Sequence, residues 1–302
     1  MSRSTDPRTP NFFILGAAKA GTTSLYAYLS QHPEIYLSEV KEPQFFCHEG
    51  LYAKGLDYYL DRFFPGSQEF SVRCEATLHY LYYAKVARRL AETLPGDTLK
   101  FIVILRDPVA RAYSLYWNMV AEGKETLSFP EAIAAERERS LTRDSEATGE
   151  LDYQYLESGL YARQLKAYFE YFDPEQFLIL FFDDLKSQPE QTLRRVFRFL
   201  GVTEEPPIEM DRAHNRAGRP RSRRLQQLLR RPNPVKKALG RLLPEPVKYR
   251  LAVKLLNLNK KPFDYPPLEA ELASRLSTRF QDDIRELEAL TGRPLTHWLR
   301  GS

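Results

Sequence analysis

Three runs of consecutive apolar residues punctuate the first two thirds of the chain: Phe12–Leu15, Phe101–Leu105 and Phe177–Phe182. Runs of this length without polar alternation read as strands covered on both faces, the pattern of an interior parallel sheet. Between them the apolar spacing turns helical. Thr22–Ser30, Asp57–Phe64, Tyr83–Leu94, Val109–Val120, Phe129–Arg139, Leu160–Phe172 and Gln191–Leu200 are predicted helices. Pro108 stands where a first helical turn accepts proline, and Gly201 stops the last helix of the set. A weaker strand is expected at Phe70–Cys74, and Ser140–Glu150 reads as a polar loop. Beyond Pro206 no segment has a strand pattern; helices are expected at Ser222–Arg230, Val247–Leu256 and Leu268–Leu290. Strands alternating with helices give an α/β fold, a parallel sheet flanked by helices, with a mostly helical C-terminal extension. We expect one unit over residues 1–302: an α/β body at 11–210 and a helical cap at 211–302.

Composition changes this picture little. The 302 residues are 43% hydrophobic and 28% charged, which excludes a wholly disordered or fibrous chain. Cys47 and Cys74 are the only cysteines, too few for a disulfide framework or a four-cysteine zinc site, though one bridge between them stays open. His32, His48, His214 and His297 have no metal-ligand spacing, so no metal site is expected. The N-terminal segment lacks the apolar run of a signal peptide, and the buried runs are too short to span a bilayer, which gives a cytoplasmic expectation.

Charge changes it more. Arg212–Lys261 holds sixteen Lys and Arg against one acid, Glu245, a net +15 that leaves the rest of the chain at −11 within the overall +4. Such asymmetry fits an anionic partner as well as it fits a solvated helical face. Tyr249 is the only aromatic in the segment, too few for a nucleic-acid stacking platform, so no nucleic acid is expected; contact with a membrane surface stays open.

The densest chemistry lies in Gly16-Ala17-Ala18-Lys19-Ala20-Gly21-Thr22-Thr23-Ser24, between a strand and a helix. A tight loop of small residues there turns backbone N–H groups toward a phosphate at the helix N-terminus. A Walker A loop needs Lys after its second glycine; here that position is Thr22 and the lysine is Lys19, inside the loop. At the end of the next strong strand stands Arg106, and Ser114 follows eight residues later. A strand end is the ligand edge of an open α/β sheet, arginine binds phosphate bidentately, and a serine two turns into the following helix faces the same side. The plainer reading of Arg106-Asp107 is a local salt bridge with Asp107 as N-cap.

Lys19-Ala20-Gly21-Thr22-Thr23-Ser24 resembles the 5′-phosphosulfate loop of sulfotransferases that use 3′-phosphoadenosine 5′-phosphosulfate (PAPS). Leu105-Arg106-Asp107-Pro108 through Ser114 resembles the same family's 3′-phosphate segment. The resemblance implies a P-loop NTPase-like fold and PAPS as donor. It assigns donor binding to Lys19, Ala20, Gly21, Thr22, Thr23, Ser24, Arg106 and Ser114. Lys41-Glu42-Pro43-Gln44-Phe45-Phe46 resembles a segment of the heparan sulfate N- and 3-O-sulfotransferase branch and its bacterial relatives, which implies that Glu42 is the catalytic base. Arg216-Ala217-Gly218-Arg219-Pro220-Arg221 resembles a cofactor-covering loop, which adds Gly218 and Arg219. The sequence departs from that branch at Glu75-Ala76-Thr77, where the branch has Glu-Lys-Thr; Lys41 or a residue of the basic segment is the expected substitute. His79 is the second candidate base.

The expected chemistry is metal-independent sulfuryl transfer to a hydroxyl or amine of a small-molecule or glycan acceptor. Lys19 stabilises the leaving phosphate and Glu42 takes the proton, its carboxylate desolvated by Pro43, Phe45 and Phe46. Two rivals remain. Phe177–Phe182 followed by Asp183 and Asp184 has the look of a Walker B strand, which gives a P-loop-type kinase. The basic segment alone gives a polyanion-binding protein.

Overall fold

The computed structural model describes residue 4 and residues 6–142, 152–210, 218–220, 260–262 and 265–300. Five strands form one sheet: β1 (Phe12–Gly16), β2 (Ile35–Leu37), β3 (Val72–Ala76), β4 (Lys100–Leu105) and β5 (Phe177–Phe181). Every pairing is parallel, in the order β2-β3-β1-β4-β5. The three apolar runs are the three central and right-hand strands, and Phe13, Ile14, Ile102, Val103 and Ile104 are wholly buried. Burial of both faces is what allows these strands to be apolar throughout. Ile35–Leu37 was not expected as a strand, because three residues at a sheet edge carry too little pattern to register.

Around the sheet lie α1 (Thr22–Leu29), α2 (Glu49–Tyr52), α3 (Gly55–Phe63), α4 (Ala84–Thr93) and α5 (Pro108–Glu122). They are followed by α6 (Phe129–Ala134), α7 (Glu136–Thr142), α8 (Tyr161–Phe169), α9 (Phe182–Ser187), α10 (Pro189–Leu200) and α11 (Ala270–Thr291). The helix expected at Phe129–Arg139 is two helices separated at Ala135. Glu136 of the second turns inward and accepts the amides of Leu156 and Glu157, each at 3.0 Å. One straight helix would not bring that carboxylate under the turn it caps.

The helix α11 buries Ala273, Leu276, Phe280, Ile284 and Leu287, a stripe at helical spacing. Asp283 on this stripe accepts the amides of Ala162 and Arg163, both at 3.1 Å, and so caps the first turn of α8. The helical C-terminal part is thereby fastened to the α/β body by packing and by a cap.

One expectation is corrected and one open alternative is decided. Gly218–Pro220 (β6) and Lys260–Pro262 (β7) pair antiparallel, although no strand was expected past Pro206. Three-residue strands containing proline have neither the length nor the alternation that a sequence reading detects. Cys47 and Cys74 are both buried free thiols, not a bridge. The expected helices at Ser222–Arg230 and Val247–Leu256, most of the Ser140–Glu150 loop and nearly all of the basic segment lie outside the described residues.

Candidate functional site

In the strand order, β1 is the turning point. The chain leaves it toward β2 and β3 on one side and later returns to β4 and β5 on the other. The crevice beyond the carboxyl end of such a strand is where open α/β sheets bind ligands. Gly16–Gly21 occupies it. Ala17 N–H donates to Ile104 O at 2.8 Å, which ties the loop to β4. Gly21 has φ +92°, and a Cβ there would lie 3.0 Å from Phe182 and 3.2 Å from Leu185, so only glycine lets α9 close against the loop. The following helix, α1, starts at Thr22 with no side-chain cap and no acid in its first turn. Its leading amides and the positive end of its dipole are therefore available to an anion.

Lys19 sits in this loop at φ +70°. Its ammonium donates to Asn118 Oδ1 of α5 at 3.1 Å, and Asn118 in turn donates to Glu122 Oε1 at 3.2 Å. Arg106, at the end of β4, donates through Nη1 to the carbonyl oxygen of Lys19 at 3.1 Å and lies over the ring of Phe182. Asp107 does not take Arg106 away from the loop. It caps α5 by accepting the amide of Ala110 at 2.8 Å. Ser114, buried, lies two turns into α5, and Asn118 lies one turn beyond on the same face. The backbone of Gly218–Pro220 lies beside α5. Lys19, Arg106 and the Ser114 face of α5 are thus brought together, with Gly218 and Arg219 along the same helix.

The second cluster comes from the segment after β2. Glu42 N–H donates to Ala76 O at 3.1 Å, so the segment crosses the end of β3. Lys41 donates to Thr23 Oγ1 of α1 at 2.9 Å, and its ammonium lies 3.8 Å from Glu42 Oε1. Glu42 and Gln44 both have left-handed backbones, φ +60° and +58°. Among the described residues four non-glycine residues adopt positive φ, and Lys19, Glu42 and Gln44 are three of them. Such strain collects where a structure holds functional groups in place. One expectation is revised here. Phe45 and Phe46 do not cover the Glu42 carboxylate; both are buried in the core, where Phe45 stacks on Tyr59 with centroids 4.4 Å apart. The Glu42 side chain keeps 29% exposure. His79 is half-buried in the turn after β3.

Beneath the segment lies a residue to which the sequence reading gave no role. Glu75 is completely buried, and it accepts hydrogen bonds from hydroxyls instead of from a cation. Tyr59 OH and Thr77 Oγ1 donate to it, the latter at 2.7 Å, and Tyr80 OH joins them. Two of these hydroxyls also accept from the strained segment: Thr77 from Gln44 N–H at 3.2 Å and Tyr80 from Phe46 N–H at 3.0 Å. Burial pushes the carboxyl up to about 7, with the hydroxyl bonds opposing the rise. Asn118 was missed too. Its signal was position, four residues past Ser114 on one helical face.

The rival Walker B reading is not favoured. Asp184 is engaged by Arg293, whose Nη2 donates to Oδ1 at 2.8 Å and whose Nη1 bonds the other carboxylate oxygen. It holds the end of α11 to α9.

The donor set fits a ligand bearing phosphate-type groups at two places. It offers an ammonium, an uncapped helix N-terminus and three hydroxyls at one, and a guanidinium and a buried serine at the other. Fold and loop together define an α/β protein of the P-loop-like class with an anion-binding edge at the carboxyl end of β1. The sequence model of the sulfotransferase domain matches residues 9–226, and the chain belongs to that family. It is similar to a sulfotransferase from Alicyclobacillus acidocaldarius of known structure, with TM-score 0.70 and 30% identity over 97% of this chain and 99% of the other. It is 29% identical to the human bifunctional heparan sulfate N-deacetylase/N-sulfotransferase 3 over 97% of this chain and 31% of that protein. It is 33% identical to the mouse heparan sulfate glucosamine 3-O-sulfotransferase 3A1 over 64% of this chain and 46% of that protein. The chain therefore spans less than half the length of these heparan sulfate relatives.

Proposed function

We propose that the protein transfers a sulfuryl group from PAPS to an amine or hydroxyl, with one catalytic unit built from the body at 11–210 and the cap at 211–302. The observation that carries this reading is the tie between Lys19, Arg106 and the Ser114 face of α5 at the carboxyl end of β1. A nucleotide with phosphates at its 3′ and 5′ positions needs two separated anion sites of this kind. The loop amides and the hydroxyls of Thr22, Thr23 and Ser24 hold the 5′ end. Arg106 and Ser114 hold the 3′-phosphate, with Gly218 and Arg219 covering the nucleotide.

The donor supplies a sulfuryl group on a good leaving phosphate. The acceptor heteroatom forms a bond to sulfur as the bond from sulfur to the bridging oxygen breaks. Lys19 neutralises the charge that grows on that oxygen, and Glu42 takes the acceptor's proton. Lys41, 3.8 Å away, keeps Glu42 paired before the acceptor arrives. The names of the mammalian relatives favour an amino-sugar glycan as acceptor. Labelled PAPS incubated with N-desulfated heparan sulfate and a panel of small alcohols and amines, in EDTA, tests the reading. Sulfate recovered on an acceptor supports it. Failure of the protein to bind PAP or PAPS, or ATP turnover in its place, overturns it.

A further inference from the structure

We propose that Glu75 is a positioning residue for the proton-transfer step: through the hydroxyls of Thr77 and Tyr80 it fixes the backbone that presents Glu42 to the acceptor. The inference rests on the reading above, in which Glu42 is the base.

The segment after β2 is docked by three alternate amides. Glu42 N–H donates to Ala76 O at 3.1 Å, Gln44 N–H to Thr77 Oγ1 at 3.2 Å and Phe46 N–H to Tyr80 OH at 3.0 Å. The first acceptor is a backbone carbonyl of the sheet. The other two are hydroxyls, and a hydroxyl rotates, so it is a dependable acceptor only where its own proton is taken up elsewhere. Glu75 takes up both protons. Thr77 Oγ1 donates to Oε1 at 2.7 Å, and Tyr80 OH is bonded to the same carboxyl group. Tyr59 OH of α3 donates to Oε2. An ionised carboxylate only accepts, so these hydroxyls all point their protons inward. The lone pairs of Thr77 and Tyr80 are left for the amides of the segment. All four side chains are fully buried, so a bond lost here is not replaced from bulk solvent.

The backbone shows what this network holds. Glu42 and Gln44 stand at φ +60° and +58°, a region that residues with side chains rarely adopt. The Thr77 bond lies at Gln44 itself and the Ala76 bond at Glu42. Phe45 and Phe46 are seated separately, by core packing and by Arg89, which donates to Phe46 O at 2.9 Å. Loss of the Glu75 network therefore releases the two left-handed residues while the rest of the segment stays in place. A base displaced by about 1 Å can cost about 100-fold in rate, with the donor cradle untouched.

Steady-state kinetics at pH 8, above the value of about 7 at which Glu75 titrates, tests the proposal on Glu75→Gln, Thr77→Val and Thr77→Ser with the acceptor found by the labelled-donor screen. Glu75→Gln and Thr77→Val should lower kcat about tenfold or more, with KM for PAPS and calorimetric PAP affinity within about twofold of wild type. Thr77→Ser keeps the hydroxyl and should keep the wild-type kcat. In a Glu42→Gln background Thr77→Val should cost less than about twofold, because the base it positions is already gone. Hydrogen exchange, read by mass spectrometry on the peptide of residues 40–47, should quicken in Glu75→Gln and Thr77→Val while the peptide of β1 is unchanged. If Thr77→Val does not fold, as judged by its melting curve, Tyr80→Phe replaces it and removes the other arm. Unchanged kcat, unchanged exchange, or an equal loss with and without the Glu42 carboxylate would overturn the positioning role and leave the transfer reading standing. Full activity of Glu42→Gln would overturn the assignment of the base and this inference with it. Absence of sulfate transfer by the wild-type protein to any acceptor would overturn the transfer reading as well.

Discussion

The guanidinium of Arg106 is bonded to the backbone carbonyl of Lys19, 3.1 Å away, so the two loops that leave β4 and β1 are braced against each other. Arginine can do this with one N–H and still present the remaining fork to a phosphate. Arg106→Ala therefore removes a ligand contact and the brace together. PAP affinity measured by calorimetry should fall about 10- to 100-fold. Arg106→Lys should recover only part of it, because a single ammonium cannot serve both directions.

Lys19 is held by Asn118. Its role in the proposed reaction is to meet charge that develops on the bridging oxygen, so its loss should appear in turnover more than in ground-state binding. Lys19→Ala should lower kcat by about two to three orders of magnitude with any acceptor found by the labelled-donor screen. Asn118→Ala, which removes this hydrogen bond and leaves the ammonium present, should cost less. Equal losses in the two variants would mean that the tether matters as much as the charge.

Much of the fold was legible because the three apolar strands and the amphipathic helices bury large, continuous surfaces, which leave strong periodic signals. The short strands β2, β6 and β7 left none. The site divides in the same way. Lys19, Arg106 and Ser114 lie on a strand–loop–helix frame whose spacing is fixed by local geometry, so their relation can be read along the chain. Glu42 and Gln44 meet Ala76 and Thr77 through contacts between segments 33 residues or more apart in the chain, and only the folded chain reveals them. Glu75 in particular looked like the acidic member of a strand-end triplet. Its meaning comes from Tyr59, Thr77 and Tyr80, which surround it.

That buried carboxyl has a consequence for stability. In the folded protein Glu75 titrates at about 7, above its ordinary value of 4.5. Between these two values the folded state keeps a proton that the unfolded state has released. The contribution of Glu75 to stability is therefore complete below about 4.5 and is lost as pH rises through about 7. Glu75→Gln cannot titrate. The difference in unfolding free energy between the wild-type protein and this variant, from urea melts at a series of pH values, should shift against the wild type from pH 4.5 to 7 and level off above. A difference that stays flat over this range would mean that the carboxyl is ionised throughout.

Asp184 bears on the difference between a kinase and a sulfuryl transferase. A Walker B acid would organise a metal ion, and its loss would remove nucleotide turnover. Here the same carboxylate receives both arms of Arg293, which follows the C-terminal helix, and the guanidinium also lies over the ring of Phe181. Arg293 holds the Asp184 carboxyl below the usual carboxylate range. Both side chains are partly exposed, 35% for Arg293 and 27% for Asp184, so the pair contributes about 1 kcal/mol, toward the upper end for surface pairs because it is bidentate. Asp184→Asn should lower the unfolding free energy by about that amount, and Arg293→Ala should do the same without adding to it in the double variant. PAP affinity should be unchanged in all three proteins. A loss of donor binding in Asp184→Asn that Arg293→Ala does not share would assign the carboxylate to the ligand site and not to the clasp on the C-terminal helix.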